Sequence, residues 1–179
     1  VHPNEDYIAL LIREFRRLKK LADRAIAQTP EKRYFETLDT VDNSLAAIIK
    51  HVSGNMQSRW TDFLTTDGEK PDRNRDEEFI IRDSDSRQKL TEQWERGWAA
   101  LFDSLSPLSL EDLDREVKIR GEALTVLQAA NRQLTHYAYH VGQIVFLAKH
   151  LTGDDWKSLS IPIGQSQAFN EKPDKYAKG

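Results

Sequence analysis

Apolar residues recur at three- and four-residue spacing in four long segments of this chain, a period that belongs to packed helices. The first segment covers residues 5–28, where Ile8, Leu11, Ile12, Phe15, Leu18, Ala22, Ala25 and Ile26 form a stripe with Arg and Lys between them, and Pro30 breaks the pattern. The second covers 41–64, with Leu45, Ile48, Ile49, Val52 and Met56 as its stripe. Gly54 lies inside it, which lowers helix propensity but permits close packing. The third, 86–105, carries Leu90, Trp94, Trp98, Leu101, Phe102 and Leu105 and ends before Pro107. The fourth, 125–151, has Thr125 as a cap and Gly153 as a stop. Residues 116–124 alternate around a glycine, the pattern of a short hairpin.

Four amphipathic helices with so little strand predict an all-α four-helix bundle, a single domain over residues 1–179. That length is enough for one core and too short for two. Two connections, 65–85 and 106–124, are long for a bundle, so crossovers are expected in place of simple up-and-down order. The first of them is densely charged (Arg73, Arg75, Asp76, Glu77 and Glu78), which reads as a solvated loop or as an ion-pair lattice lying over the bundle. Residues 154–179 have no helical period; 156–164 are expected to pack on the bundle and 171–179 to fray.

Composition excludes several classes of function. The formal charge of −3 argues against a general nucleic-acid binder, which would carry a basic excess. No apolar stretch reaches the 18 or more residues needed to span a bilayer. The absence of cysteine removes disulfides, thiol nucleophiles and Cys-based zinc sites together, and fits a reducing compartment. Residues 1–7 show no basic segment leading into an apolar one, so a cytoplasmic protein without a signal peptide is expected.

Within this frame three histidines stand out. His136 and His140 are four residues apart in the fourth segment, and residues at i and i+4 share one helix face. His51 flanks the stripe of the second segment, where a facing helix can bring it to the pair. Three imidazoles leave a coordination position open, as catalytic zinc sites do. The fourth helix is read as carrying Leu127, Leu134, Ala138, Val141, Val145 and Ala148 on its core face. His136, His140 and Gln143 then lie on a second, cavity-facing side crowded by Tyr137, Tyr139 and Leu147. His150 is about 15 Å further along the helix and cannot share the ion, and His2 lies near the chain end.

Three neutral imidazoles leave a divalent ion its full charge, which lowers the pKa of a bound water to about 7 and would equally stabilise a bound thiolate. Imidazole ligation alone does not select among Zn, Ni, Cu and Fe. Asn55 and Arg59 follow His51 at i+4 and i+8, and Arg132 and Gln143 flank the histidine pair. These four are the candidate substrate-binding residues, with the arginines able to fork onto an anionic group. Trp60 and Phe63 read as core. The residue after His136 is Tyr137, not the Glu of the His-Glu-x-x-His peptidases, and no Glu-x-x-His of a di-iron bundle is present in the fourth helix.

The segments Lys50-His51-Val52-Ser53-Gly54-Asn55-Met56 and His136-Tyr137-Ala138-Tyr139-His140-Val141-Gly142-Gln143-Ile144 resemble those of the DinB/YfiT-like metalloenzymes. The stretches 59–79 and 156–162 look like a bacterial branch of that superfamily known as a domain of unknown function. The resemblance implies an up-down-down-up bundle, a divalent metal on His51, His136 and His140 (zinc or nickel), and a homodimer. Its characterised members imply an enzyme that transfers a low-molecular-weight thiol to an electrophilic small molecule, or hydrolyses a small substrate. The alternative is a non-catalytic dimeric metal-binding or stress-related bundle. A heavy apolar load on the first and fourth helices also favours a dimer.

Overall fold

The computed structural model describes residues 7–172. Helices α1 (Tyr7–Ile26), α2 (Leu45–Trp60), α3 (Arg87–Leu105) and α4 (Val126–Thr152) supply most of the structure, with a hairpin of β1 (Glu116–Ile119) and β2 (Glu122–Thr125) and a last short helix α5 (Ser166–Asn170). The start of the first expected helix and most of the expected frayed tail lie outside the described residues.

The helix ends are set by local chemistry. Ser44, Ser86 and Thr125 each accept a hydrogen bond from the backbone N–H three residues on, satisfying donors that a helix leaves unpaired. Thr125 and Gln128 form a reciprocal capping box, and Gly153 leaves the helix with φ 63°, where a side chain would be strained. The second helix is shorter than its period suggests. It begins at the Ser44 cap and stops when Thr61 turns extended and Asp62 adopts φ 49°. The hairpin pairs Val117 with Leu124 and turns at Arg120 and Gly121, both with positive φ, the conformation of a tight hairpin turn.

Around the bundle, α2 packs most extensively on α3 and α1 on α4, while α2·α4 and α1·α3 contacts complete the ring. α1 buries Ile8, Leu11, Phe15, Leu18, Ala22 and Ala25, as its period requires. α2 is buried on nearly every side, including the polar residues Ser53, Asn55, Ser58 and Arg59, because the 65–85 connection folds over the face that α3 and α4 leave free. In α4 the buried residues include Ala129, Ala130, Gln133, Tyr137, Val141, Ile144, Leu147 and Ala148, whereas Ala138 is exposed and Leu127, Leu134 and Val145 are only partly buried. The core face is therefore rotated from the expected one toward Tyr137 and Ile144, because α1 and α2 cover α4 from two sides.

Tyr137 is the pin between α2 and α4. Its hydroxyl accepts from Trp60 Nε1 at 3.1 Å and donates to Asn55 Oδ1 at 3.0 Å, all within the core. It fixes how the two helices sit one residue away from His136. Trp60 and Phe63 are core residues, as expected. After α4, Trp156 and Leu159 pack on the core, and Lys157 N–H donates to Gln28 Oε1 at 2.7 Å. The expected packing of 156–164 stops there, for Ile163 is fully exposed. No described helix is long and apolar enough to cross a membrane.

Candidate metal centre

α2 carries His51 and α4 carries His136 and His140, and the Tyr137 pin brings these helices together at that level. The three imidazoles meet: one nitrogen from each lies within 4.8 Å of the others. His136 Nε2 and His140 Nε2 are 3.1 Å apart, close to the roughly 3.3 Å that two nitrogens at about 2.0–2.1 Å from one tetrahedral ion would show. His51 is buried and the other two are half-buried at the wall of a cavity.

Hydrogen bonds set which nitrogen faces inward. His51 Nδ1 donates to Glu78 Oε2 at 2.8 Å, and His140 Nδ1 donates to Gln143 Oε1 at 2.7 Å. Each leaves its Nε2 as a lone pair, that of His140 turned to His136 Nε2, and a carboxylate behind a ligating imidazole raises its basicity and locks its ring. His136 Nδ1 is buried with no partner. Burial, reinforced by the neighbouring imidazoles, pushes the His136 pKa down to about 3. Burial likewise brings His140 to about 4, against the bond it donates to Gln143. Both are thus neutral near pH 7, the form that can ligate. The donor set fits a divalent ion: three imidazoles, two with their outer nitrogens committed, and an open side toward the cavity.

Glu78 is the residue that sequence reasoning missed. It reaches His51 from the turn Asp76–Phe79 in the charged connection. Its other contacts are charge-assisted bonds from Arg73 Nε at 2.8 Å and Nη2 at 2.9 Å. Burial opposes its charge, but the bonds from His51 and Arg73 outweigh that and hold the carboxyl below its ordinary pKa. Gly54 makes this approach physically accessible, since a Cβ there would lie 2.5 Å from Glu78 Oε1. Phe79 stacks on the His51 ring, with centroids 4.6 Å apart, and the Arg75 guanidinium lies over the Phe79 ring, 5.1 Å from its centroid. The signal for Glu78 in the sequence is thin: a glycine in mid-helix and a run of alternating charges.

The charged connection is an ion-pair lattice, the second of its two sequence readings. Glu69 Oε2 receives Arg59 at 2.7 Å, Arg73 at 3.1 Å and Arg120 at 3.3 Å. Asp67 accepts from the hairpin-turn N–H groups of Arg120 and Gly121 at 2.8 and 2.7 Å, which ties β1 and β2 to the lattice.

The four candidate substrate residues all line the cavity, whose volume is about 470 Å³. Asn55 Oδ1 accepts from the Tyr137 hydroxyl. Arg59 is buried, donates to the Gly68 carbonyl and Glu69, and keeps its Nε without a partner. Arg132 stands exposed at the rim, 3.3 Å from Glu122. Gln143 orients His140 and donates to the Tyr139 hydroxyl at 3.1 Å. Arg73, Arg75 and Arg120 also line the cavity, and among the described residues no carboxylate does. His150 is exposed and outside the cluster, and His2 lies outside the described residues.

A helical bundle with three clustered imidazoles, compatible with a metal site, is thus the class that fold and site define. The chain belongs to the family described as a protein of unknown function, DUF1572, whose model matches residues 3–165. No curated protein matches it.

Proposed function

We propose that this protein is a metal-dependent enzyme that binds one divalent ion, zinc or nickel, at His51, His136 and His140. In this reading it transfers a low-molecular-weight thiol to an electrophilic small molecule, or hydrolyses a small substrate. The observation that carries the reading is the convergence of three imidazole nitrogens within 4.8 Å, with Glu78 behind one of them. When bound, the ion would supply a charge that favours the anionic, nucleophilic form of a water or thiol in its open position.

The chain's own residues have separable roles. Glu78 and Gln143 orient His51 and His140 through their Nδ1 atoms. Phe79 covers the His51 ring and limits water on that side. Arg59 and Arg132 would hold an anionic part of the substrate, and Asn55 would help to shape the floor. The absence of cysteine means that any thiol in the reaction comes from a cosubstrate. The clustered histidines and helical bundle support kinship with the DinB/YfiT-like enzymes, and the reading takes over from them an up-down-down-up helix order and a cytoplasmic setting. The homodimer belongs to this reading through the apolar load of α1 and α4.

The test is turnover with the purified chain. Loss of a chromogenic electrophile in the presence of a small thiol, or cleavage of an activated ester, is expected with zinc or nickel and is abolished by chelator and by His140→Ala. Metal binding without turnover on any thiol or ester substrate would favour the non-catalytic bundle instead.

A further inference from the structure

The histidine cavity does not end at the metal centre. Asn43, Ile48, Tyr139 and Gln143 line it and also line a second hollow of about 460 Å³. The two spaces differ sharply in chemistry. The first is walled by five arginines and, among the described residues, by no carboxylate, inside a chain whose formal charge is −3. The carboxylates that balance Arg59 and Arg73, Glu69 and Glu78, stand behind them. Arg75 and Arg132 are paired only loosely, at 3.7 Å to Asp76 and 3.3 Å to Glu122, and their side chains are half exposed. The second hollow is lined by Leu38, Val41, Ile48, Phe146 and Leu147, with the carboxylate of Asp42 beside them, and Val41 and Phe146 are largely exposed to water.

Gly142 lines the same hollow on α4, one turn before Phe146. It sits in the interior of a 27-residue helix, where glycine is unfavourable, and a Cβ there would meet nothing within 4 Å. No neighbouring atom demands glycine. Its effect is to leave the hollow open.

We infer that the substrate of this site is an amphiphilic anion. Its carboxylate or phosphate is held by the rim arginines Arg75 and Arg132 beside the histidines, and its apolar arm lies in the hollow across Gly142, between Val41 and Phe146. The inference rests on the proposed reading of the histidine cavity as the substrate site. Guanidinium forks match the planar or tetrahedral oxygens of such a head. The arm covers apolar surface that is otherwise in water, which is the usual source of affinity in a mostly apolar pocket.

The test is an NMR titration of ¹⁵N-labelled, chelator-treated protein with butanoate, octanoate, octyl phosphate, octanol and octyltrimethylammonium, each below its micelle concentration. Octanoate is expected to bind at least about tenfold more tightly than butanoate, since each buried methylene is worth about fourfold. Its shifts should centre on Tyr139, Gly142 and Gln143. The double variant Arg75→Gln/Arg132→Gln, which touches only exposed side chains, should weaken it about tenfold or more. Gly142→Leu should remove the preference for octanoate over butanoate. Tighter binding of either octanoate or octyl phosphate supports the inference and assigns the head group. Equal affinity for butanoate and octanoate, octanol binding as tightly as octanoate, or variants without effect would overturn it. Because the protein is metal-free here, a failure of the metal reading leaves these results intact, and the reverse also holds.

Discussion

Replacing Gly54 by alanine should reverse the sign that helix propensity assigns to the change. In the interior of a helix, Gly→Ala ordinarily stabilises by about 0.5–1 kcal/mol. Here the new Cβ would lie 2.5 Å from Glu78 Oε1 and 2.9 Å from its Cδ, so the carboxylate must move. That carboxylate is fixed by His51 at 2.8 Å and by two bonds from Arg73, whose side chain is only 5% exposed. Hydrogen bonds to charged groups contribute about 1.5–3 kcal/mol each, so losing even one outweighs the propensity gain. We expect Gly54→Ala to lower the unfolding free energy of the metal-free protein by about 1–2 kcal/mol, read from urea denaturation at unchanged m-value. Metal affinity by calorimetric titration should fall about 10–100-fold, the usual effect of losing a carboxylate behind a ligating imidazole. A variant as stable as the parent or more so, with unaltered metal affinity, would refute the reasoning, because Glu78 would then have no structural role at His51.

Gly142→Ala, with nothing within 4 Å of its Cβ, should behave in the ordinary way and stabilise by about 0.5–1 kcal/mol in the same urea assay. Tyr137→Phe leaves the Trp60 donor and Asn55 acceptor unpaired in the core, and should cost about 1–3 kcal/mol by urea denaturation while also weakening metal binding. His136 and His140 hold folded pKa values of about 3 and about 4, below the ordinary 6.5, so the unfolded chain binds more protons between those limits. Their contribution to the stability of the metal-free protein is complete above pH 6.5 and is lost progressively as pH falls from there toward about 4 for His140 and about 3 for His136. His136→Gln should therefore flatten the dependence of Tm on pH between 6.5 and 5, and an unchanged slope would contradict the assignment.

Much of the scaffold was legible because its signals are local. The 3–4 periods, the Thr125 cap, the Gly153 stop and the hairpin turn at Arg120-Gly121 each act within a few residues of chain. The histidine cluster was legible for the same reason: i,i+4 spacing places two imidazoles together, and only one inter-helix contact was needed to add His51. Glu78 was not legible, since it is brought to His51 by 27 residues of chain whose fold depends on Glu69 and Asp67 gathering arginines and turn amides. The face of α4 was misjudged because periodicity describes one-sided burial, whereas α1 and α2 enclose this helix from two directions. Gln143 was read from its cavity-facing position as a substrate group. Its oxygen is engaged by His140 one turn away, a contact that the sequence spacing alone would have allowed.

The central claim is the metal centre, and metal content per chain tests it most directly. Mass spectrometry on protein purified without an affinity tag and titrated with zinc or nickel should find one divalent ion per chain. His51→Ala and His140→Ala should each lose that ion while keeping the helical circular dichroism of the parent. No bound metal in the parent after titration, or an unchanged stoichiometry in both folded variants, would contradict the account.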